Sequence, residues 1–207
     1  MSVFLFSSPL RHHGTSVAVR LRDGGTAELR PLGPGEVEPL QAVFDGLSPA
    51  SRTDRYLVGI PRLTGSMRTT LAAVDGHRHI AWLASIDGQP AGIARAIRVA
   101  PRTAEVAFEV VDEHQGRGLG AVLLDTVTTV AAVSGIQRLQ ASVLPSNHRS
   151  RQLLAQVGLH LRPADGLLDA DGPLRLLDPP RVDRPAVVRV AMAPTTSSES
   201  SEGLDSA

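Results

Sequence analysis

Residues 104–124 read A-E-V-A-F-E-V-V-D-E-H-Q-G-R-G-L-G-A-V-L-L, and a change of period midway through them decides the fold. Ahead of Asp112, Glu105 and Glu109 alternate with Val106, Phe108 and Val110, the two-residue rhythm of a strand with one face in a core. From Leu119 onward, Val122, Leu123, Val127, Val130 and Ala131 share one helical stripe that runs to Ser134-Gly135. The β-branched run T-V-T-T-V costs a helix roughly a few tenths of a kcal/mol per residue, less than the stripe gains. Between strand and helix lie Gly116, Gly118 and Gly120. Glycine lets main-chain N–H groups approach a ligand, and a helix start adds unpaired donors and a positive dipole end. Such a turn suits a pyrophosphate, although the spacing by itself also fits a flexible loop. No Gly-Lys-Ser/Thr follows, and G-x-G-x-x-G does not fit residues 116–121, so nucleoside triphosphate and NAD readings are poor.

Outward from this segment the pattern stays regular. Val17 to Leu32 gives two alternating runs around D-G-G, a hairpin. Val37, Leu40, Phe44 and Leu47 predict a helix over Gly35–Leu47, Ser48-Pro49 starts another through Tyr56, and a further helix is expected around Met67–Val74. Strands are expected over 78–86, 89–99 and 104–111 as an antiparallel meander, then strand 136–143, helix 147–157 and a last strand at Ala186–Met192. The expected order is β, β, α, α, β, β, β, α, β, α, β, a mixed α/β domain over 17–193. Residues 1–16 and the Ser/Thr/Glu-rich tail 194–207 are expected to be disordered.

A chain of 207 residues buries about 70% of its unfolded surface, enough for one real core. Basic and acidic side chains balance at 21 each, and aromatics are only 3%, which speaks against a nucleic-acid or membrane-surface partner. Cysteine is absent, so disulfides, thiolate metal sites and a Cys nucleophile are excluded. Lysine is absent too, and every basic residue other than histidine is arginine. The amino end has a four-residue apolar run without a preceding basic charge, short of a secretion signal or membrane span, so a cytoplasmic protein is expected. The histidines show no metal spacing, no metal is expected, and Tyr56 and Trp82 read as packing residues.

Gln115-Gly116-Arg117-Gly118-Leu119-Gly120 resembles the Arg/Gln-x-x-Gly-x-Gly/Ala acyl-CoA pyrophosphate loop of the GNAT superfamily of N-acetyltransferases. Asn147-His148-Arg149-Ser150 through Leu153, Gly158 and Leu159 is similar to that family's later N-x-x-A/S-x-x-L-Y/F-x-x-x-G-F segment. The likeness covers about Val17 to Val157 and, more loosely, the last expected strand. Within the family, L-R-D-G-G-T-A-E-L-R-P-L and G-L-S-P-A-S-R are similar to bacterial protein-lysine acetyltransferases of the Pat type. Some of those carry a fused cyclic-nucleotide or acyl-CoA-synthetase-like domain, for which the residues ahead of Val17 are expected to leave no room.

The resemblance implies a central, largely antiparallel sheet, flanked by helices and splayed at one edge to admit acetyl-CoA. It implies an acetyl-CoA-dependent N-acetyltransferase in which an amine attacks the thioester directly. Pantetheine would lie near Val110 and Val111, and pyrophosphate against the backbone of Gln115, Gly116, Arg117, Gly118, Leu119 and Gly120. Asn147 matches a cofactor-contacting position and is equally a good N-cap, while Ser150 would reach phosphate or adenosine groups of the cofactor. A lysine-like amine is neutral so rarely at pH 7 that freeing it costs roughly 4 to 5 kcal/mol. A proton acceptor is therefore needed, and Glu105 aligns with the proposed base, with Glu109 the alternative. Leu154 stands where many members place a tyrosine that protonates the departing thiolate. Leaving a thiol of pKa ~8.5 unprotonated costs only on the order of 2 kcal/mol, so catalysis survives the change. The acceptor is an amine, a protein lysine or a small molecule, and an acyl-CoA-binding regulator without turnover is the alternative from another class. Oligomeric state is not readable.

Overall fold

The computed structural model describes residues 16–193, so the disorder expected over 1–16 and 194–207 falls, Ser16 apart, outside the described residues. The chain opens with the hairpin β1 (Val17–Arg20) and β2 (Thr26–Pro31), paired from Val17↔Leu29 to Arg20↔Thr26. Three helices follow: α1 (Val37–Asp45), α2 (Pro49–Tyr56) and α3 (Gly65–Ala72). Ser48 caps α2 by accepting the Ser51 N–H at 3.2 Å with Pro49 in the first turn, and Thr64 caps α3 from the Met67 N–H at 3.2 Å. The meander is β3 (His79–Ile86), β4 (Gln89–Ala100) and β5 (Thr103–Val110). Then come α4 (Leu119–Val133), β6 (Arg138–Val143), α5 (His148–Gln156), β7 (His160–Ala164), β8 (Leu167–Pro173) and α6 (Arg184–Met192).

One eight-stranded sheet runs β1-β2-β3-β4-β5-β6-β8-β7. It is antiparallel except between β5 and β6, whose parallel ladder holds only Thr103↔Arg138, Ala104↔Leu139 and Glu105↔Gln140. Beyond Glu105 the strands part. The splay thus lies inside the sheet, between its fifth and sixth strands, rather than at an edge. On one face Leu119, Leu123, Leu124 and Val127 of α4 pack with Trp82, Ala96, Val106 and Leu139, each fully buried leucine contributing roughly 1.5–3 kcal/mol. On the other, Leu40 and Val43 of α1 and Ala72 of α3 cover Leu83 and Ile93. Two of the three threonines of α4 satisfy themselves: Thr126 and Thr128 donate to the carbonyls of Val122 and Leu124 at 2.8 Å, whereas the buried Thr129 hydroxyl has no hydrogen-bond partner.

The strand expected at Ala186–Met192 is instead the helix α6. The run A-V-V-R-V-A-M fits a strand, but Val187 and Val190, three apart, are the residues it buries. Asp183 caps it from the Ala186 N–H at 3.0 Å, and Pro185 opens its first turn. What pulls it in is Asp125, fully buried in α4, which accepts from the Arg181 N–H at 2.6 Å and from Arg184 Nη2 and Nε at 2.6 and 3.0 Å. The last strands are β7 and β8, joined by the left-handed turn Asp165-Gly166.

Asp125→Ala would take the acceptor from the Arg181 amide and leave the Arg184 guanidinium with only Leu177 O. Urea unfolding at pH 7 should show a loss of about 3 kcal/mol, against under about 1 kcal/mol for removing an exposed ion pair such as Arg138 with Asp171.

Candidate active site

Where β5 and β6 part, a cleft of about 840 Å³ opens. Its walls are Glu105–Val110 of β5, Ala141–Val143 of β6, the glycine loop, the start of α5 and the end of α2. The ends of a parted parallel pair carry main-chain groups that no neighbouring strand satisfies, so the gap is polar at its rim although its floor is apolar.

At the rim, Gly116 and Gly118 adopt φ of +79° and +91°, left-handed conformations that fold the loop into a concave nest. Gly118 caps α4 without a side chain, and the first turn of α4 holds no acidic residue. Among the described residues, no acceptor meets the N–H groups of Gly116 through Gly120. At Gly120 a Cβ would come within 3.3 Å of Leu153 Cδ1, so helix and wall pack closely there. Unpartnered donors at the positive end of a fifteen-residue helix fit a bound phosphate group.

Side chains of the loop hold it in place. The Gln115 amide nitrogen lies 3.2 Å from Ser51 Oγ, Val110 O and Asp112 Oδ1, and its carbonyl accepts from Arg149 Nη1 at 2.9 Å. Gln115 therefore ties α2, β5 and α5 together, and its own main-chain N–H is taken by Asp112 O at 3.2 Å, so the free donors of the loop begin at Gly116. Burial would raise Asp112, but bonds from the Ser48 and Ser51 hydroxyls and the Ser48 amide outweigh it and hold the carboxyl below its usual range. Arg117 turns away from the cleft to pair with Asp23 and lies 3.1 Å from His114 Nδ1. Val110 lines the cleft, whereas Val111 packs into the core beside Gly46, where a Cβ would meet its side chain at 2.6 Å. Asn147 and Ser150 both line the cleft, with Asn147 Oδ1 capping α5 from the Ser150 N–H at 3.0 Å. Leu154, 2% exposed, forms part of the floor.

The two glutamates of β5 have separate fates. Glu105 stands on the last rung of the parallel ladder, exposed, on the cleft wall, without an ion pair among the described residues. Glu109 is 7% exposed and held by arginines, with Arg55 Nε 3.0 Å from Oε2 and Arg95 Nη2 4.0 Å from Oε1. The Arg55 contact is close but misaligned, since neither Nε nor Oε2 has a hydrogen-bond partner. Tyr56 also reaches Glu109, and burial, reinforced by that carboxylate, pushes the phenol above its ordinary range and keeps it protonated. Arg95 lies behind, its Nη1 3.1 Å from Leu71 O and from His79 Nε2. Burial lowers it to about 10, far above neutrality, so it stays charged. Because Arg95 donates to Nε2, His79 must carry its proton on Nδ1, 3.1 Å from Ala73 O. Burial first, then the Arg95 charge, pulls His79 below its ordinary value.

Sequence reasoning did not single out Arg55, Arg95 or His79 for this site and assigned Tyr56 to packing. Its ring does pack on Phe44, centroids 5.9 Å apart, but its hydroxyl end faces the cleft wall. Arg95 was detectable as a charge inside the apolar run A-G-I-A-R-A-I. Among the described residues no group of His, Asp and Glu could hold a metal ion, and no helix is long and apolar enough to cross a membrane.

The model of the acetyltransferase (GNAT) family matches residues 47–159. Acetyltransferase Pat of Mycolicibacterium smegmatis is 32% identical over 149 residues, 70% of this chain but 44% of that protein. The chain thus spans less than half the length of that relative. Acetyltransferase PA5475 of Pseudomonas aeruginosa is 29% identical over 143 residues, covering 67% of this chain and 77% of that one. The crystal structure of the GNAT domain of S. lividans PAT superposes with a TM-score of 0.72 at 30% identity, covering 77% of this chain and 97% of that domain.

His79 gives the buried cluster a pH signature. Its folded pKa lies below the unfolded value of about 6.5, so between the two the unfolded chain binds more protons. The stability it contributes is complete above about pH 6.5 and is lost as pH falls from there through the folded value. Unfolding measured from pH 7.5 to 5 should show this acid-side decline, and His79→Gln should flatten it.

Proposed function

The chain belongs to the GNAT acetyltransferase family, and from that membership we propose that it moves the acetyl group of acetyl-CoA onto a primary amine in a ternary complex. The observation that carries this reading is the run of unpartnered N–H groups from Gly116 to Gly120 at the mouth of the parted sheet. They would hold the diphosphate of coenzyme A, with Gln115 holding the loop and Asn147 and Ser150 on the facing wall. Pantetheine would run past Val110 into the gap between β5 and β6. There the amine nitrogen attacks the thioester carbonyl carbon, the C–S bond breaks, and sulfur leaves as thiolate. The proton shed by the amine goes to Glu105, directly or through water. Glu105 suits this better than Glu109, whose charge is already answered by Arg55 and Arg95. A main-chain N–H on the parted edge of β5 would stabilise the carbonyl oxygen. Acetyl-CoA chemistry of this kind belongs in the cytoplasm.

Similarity to the Pat acetyltransferases favours a protein lysine as acceptor. A second reading, an acyl-CoA-binding regulator without turnover, draws on Leu154, an apolar side chain buried where a thiolate-protonating phenol would stand.

Two experiments test these assignments. Gly118→Asp would put a side chain and a negative charge into the nest, at a φ of +91° and against Arg22. Calorimetry with acetyl-CoA should show affinity falling by about 10² or more, and unchanged affinity would refute the loop assignment. In the second, the protein is incubated with acetyl-CoA and a chemically deacetylated lysate and read by mass spectrometry. Because the chain contains no lysine, any acetyl-lysine formed belongs to another protein. Glu105→Gln should keep acetyl-CoA affinity within a few-fold and lower transfer about 10²-fold; equal turnover removes Glu105 as base. A wild type that binds acetyl-CoA yet acetylates nothing supports the regulator.

A further inference from the structure

The turn of the first hairpin, far from the loop in sequence, is fastened to it by several independent contacts. The Arg22 N–H donates to Arg117 O at 3.1 Å, and Asp23 pairs with the Arg117 guanidinium. The fit is close on both sides. A Cβ on Gly25 would lie 2.6 Å from Arg117 Nη2, and one on Gly118 would meet Arg22 Cγ, Cδ and Nε at 3.1 to 3.4 Å. The side chain of Arg117, the arginine inside the glycine motif, is spent on this fastening and does not line the cleft. The stem of Arg22 instead lies across Gly118, and Arg22 does line the cleft. Arg22 is exposed, and among the described residues its guanidinium has no hydrogen bond and no ion pair.

We infer that Arg22, a residue outside the glycine motif, is a phosphate-binding cation for the nucleotide end of coenzyme A. The inference rests on the reading of the loop as a coenzyme A site. The chemistry follows from what the nest lacks. Main-chain N–H groups supply direction and partial charge, but the loop presents no full positive charge of its own once Arg117 is turned aside. Coenzyme A carries a diphosphate and a separate 3′-phosphate on its ribose. A guanidinium meets phosphate oxygens with a planar fork of donors and never loses its charge at working pH. Holding its stem over Gly118 removes much of the freedom such a side chain would otherwise lose on binding. Asp23 and Arg117 are then positioning residues, because they fix the hairpin that presents Arg22.

The test is calorimetry with acetyl-CoA and with acetyl-dephospho-CoA, which lacks the 3′-phosphate, on the wild type and on Arg22→Ala, Arg22→Lys and Asp23→Ala. Arg162→Ala, on the exposed strand β7, controls for loss of one positive charge. Thermal unfolding of each variant separates binding from stability. Arg22→Ala should weaken acetyl-CoA about ten- to a hundredfold with melting unchanged, while Arg22→Lys recovers part of the loss. Asp23→Ala should fall between Arg22→Ala and the wild type. If only acetyl-CoA weakens, the contact is to the 3′-phosphate; if both ligands weaken alike, it is to the diphosphate. Arg22→Ala binding acetyl-CoA as tightly as the wild type and Arg162→Ala overturns the inference. A wild type that binds neither ligand refutes the coenzyme A reading itself and is recognised without any variant.

Discussion

A parallel ladder that stops after Glu105↔Gln140 is the constraint on which the site depends. Had β5 and β6 stayed paired to their ends, the sheet would be continuous and its main chain satisfied within itself. Because they separate, Val106 to Val110 on one side and Ala141 to Val143 on the other become cleft walls. The glycine loop sits where the gap meets solvent, and α4 brings the positive end of its dipole to the same place. The helix can do so because its body is locked between sheet and α6: Asp125, deep in α4, binds Arg181 ahead of α6 and Arg184 at its start. The glycine nest at one end of α4 and the anchoring of α6 on its flank both depend on this one helix.

The two faces of the sheet divide the labour. The face under α4 is apolar from Leu29 to Leu139 and supplies most of the core. The face under α1 to α3 carries a charged cluster, Glu109, Arg95, Arg55 and the neutral His79, beside the cleft. A buried carboxylate with two arginines is costly to desolvate and gains stability only when the set is complete. The cluster stiffens the cleft wall that β5 shares with α2, and Glu105, at the far end of the same strand, has no ion pair among the described residues.

Much of this was legible in the sequence because periodicity reports burial directly. The hairpin, the first helix, the meander and the strand-loop-helix unit each place apolar residues at a telling spacing, whereas the polar helix α2, which buries none of its residues, was marked by its Ser48-Pro49 start. The misreading of Ala186–Met192 arose where pattern is ambiguous: a short run of valines fits both periods, and a contact to Asp125, 59 residues away, decides between them. Asp183 and Pro185 were local signs of a helix start. The β7–β8 hairpin escaped because it is largely exposed and its composition is that of a loop, with only Asp165-Gly166 marking its turn. In the site, the glycine motif located the nest, but side-chain direction stayed hidden. Nothing in the spacing of Q-G-R-G-L-G reveals that Arg117 faces a distant hairpin, that Val111 belongs to the core, or that Tyr56 reaches Glu109.

The fastening of the hairpin to the loop also has a mechanical side. β1 is one of the two edge strands of the sheet, and two residues beyond its end the backbone of Arg22 is bonded to the backbone of Arg117. Edge strand and loop are therefore joined main chain to main chain, so the hairpin of β1 and β2 and the glycine loop at the cleft mouth are placed by one shared contact.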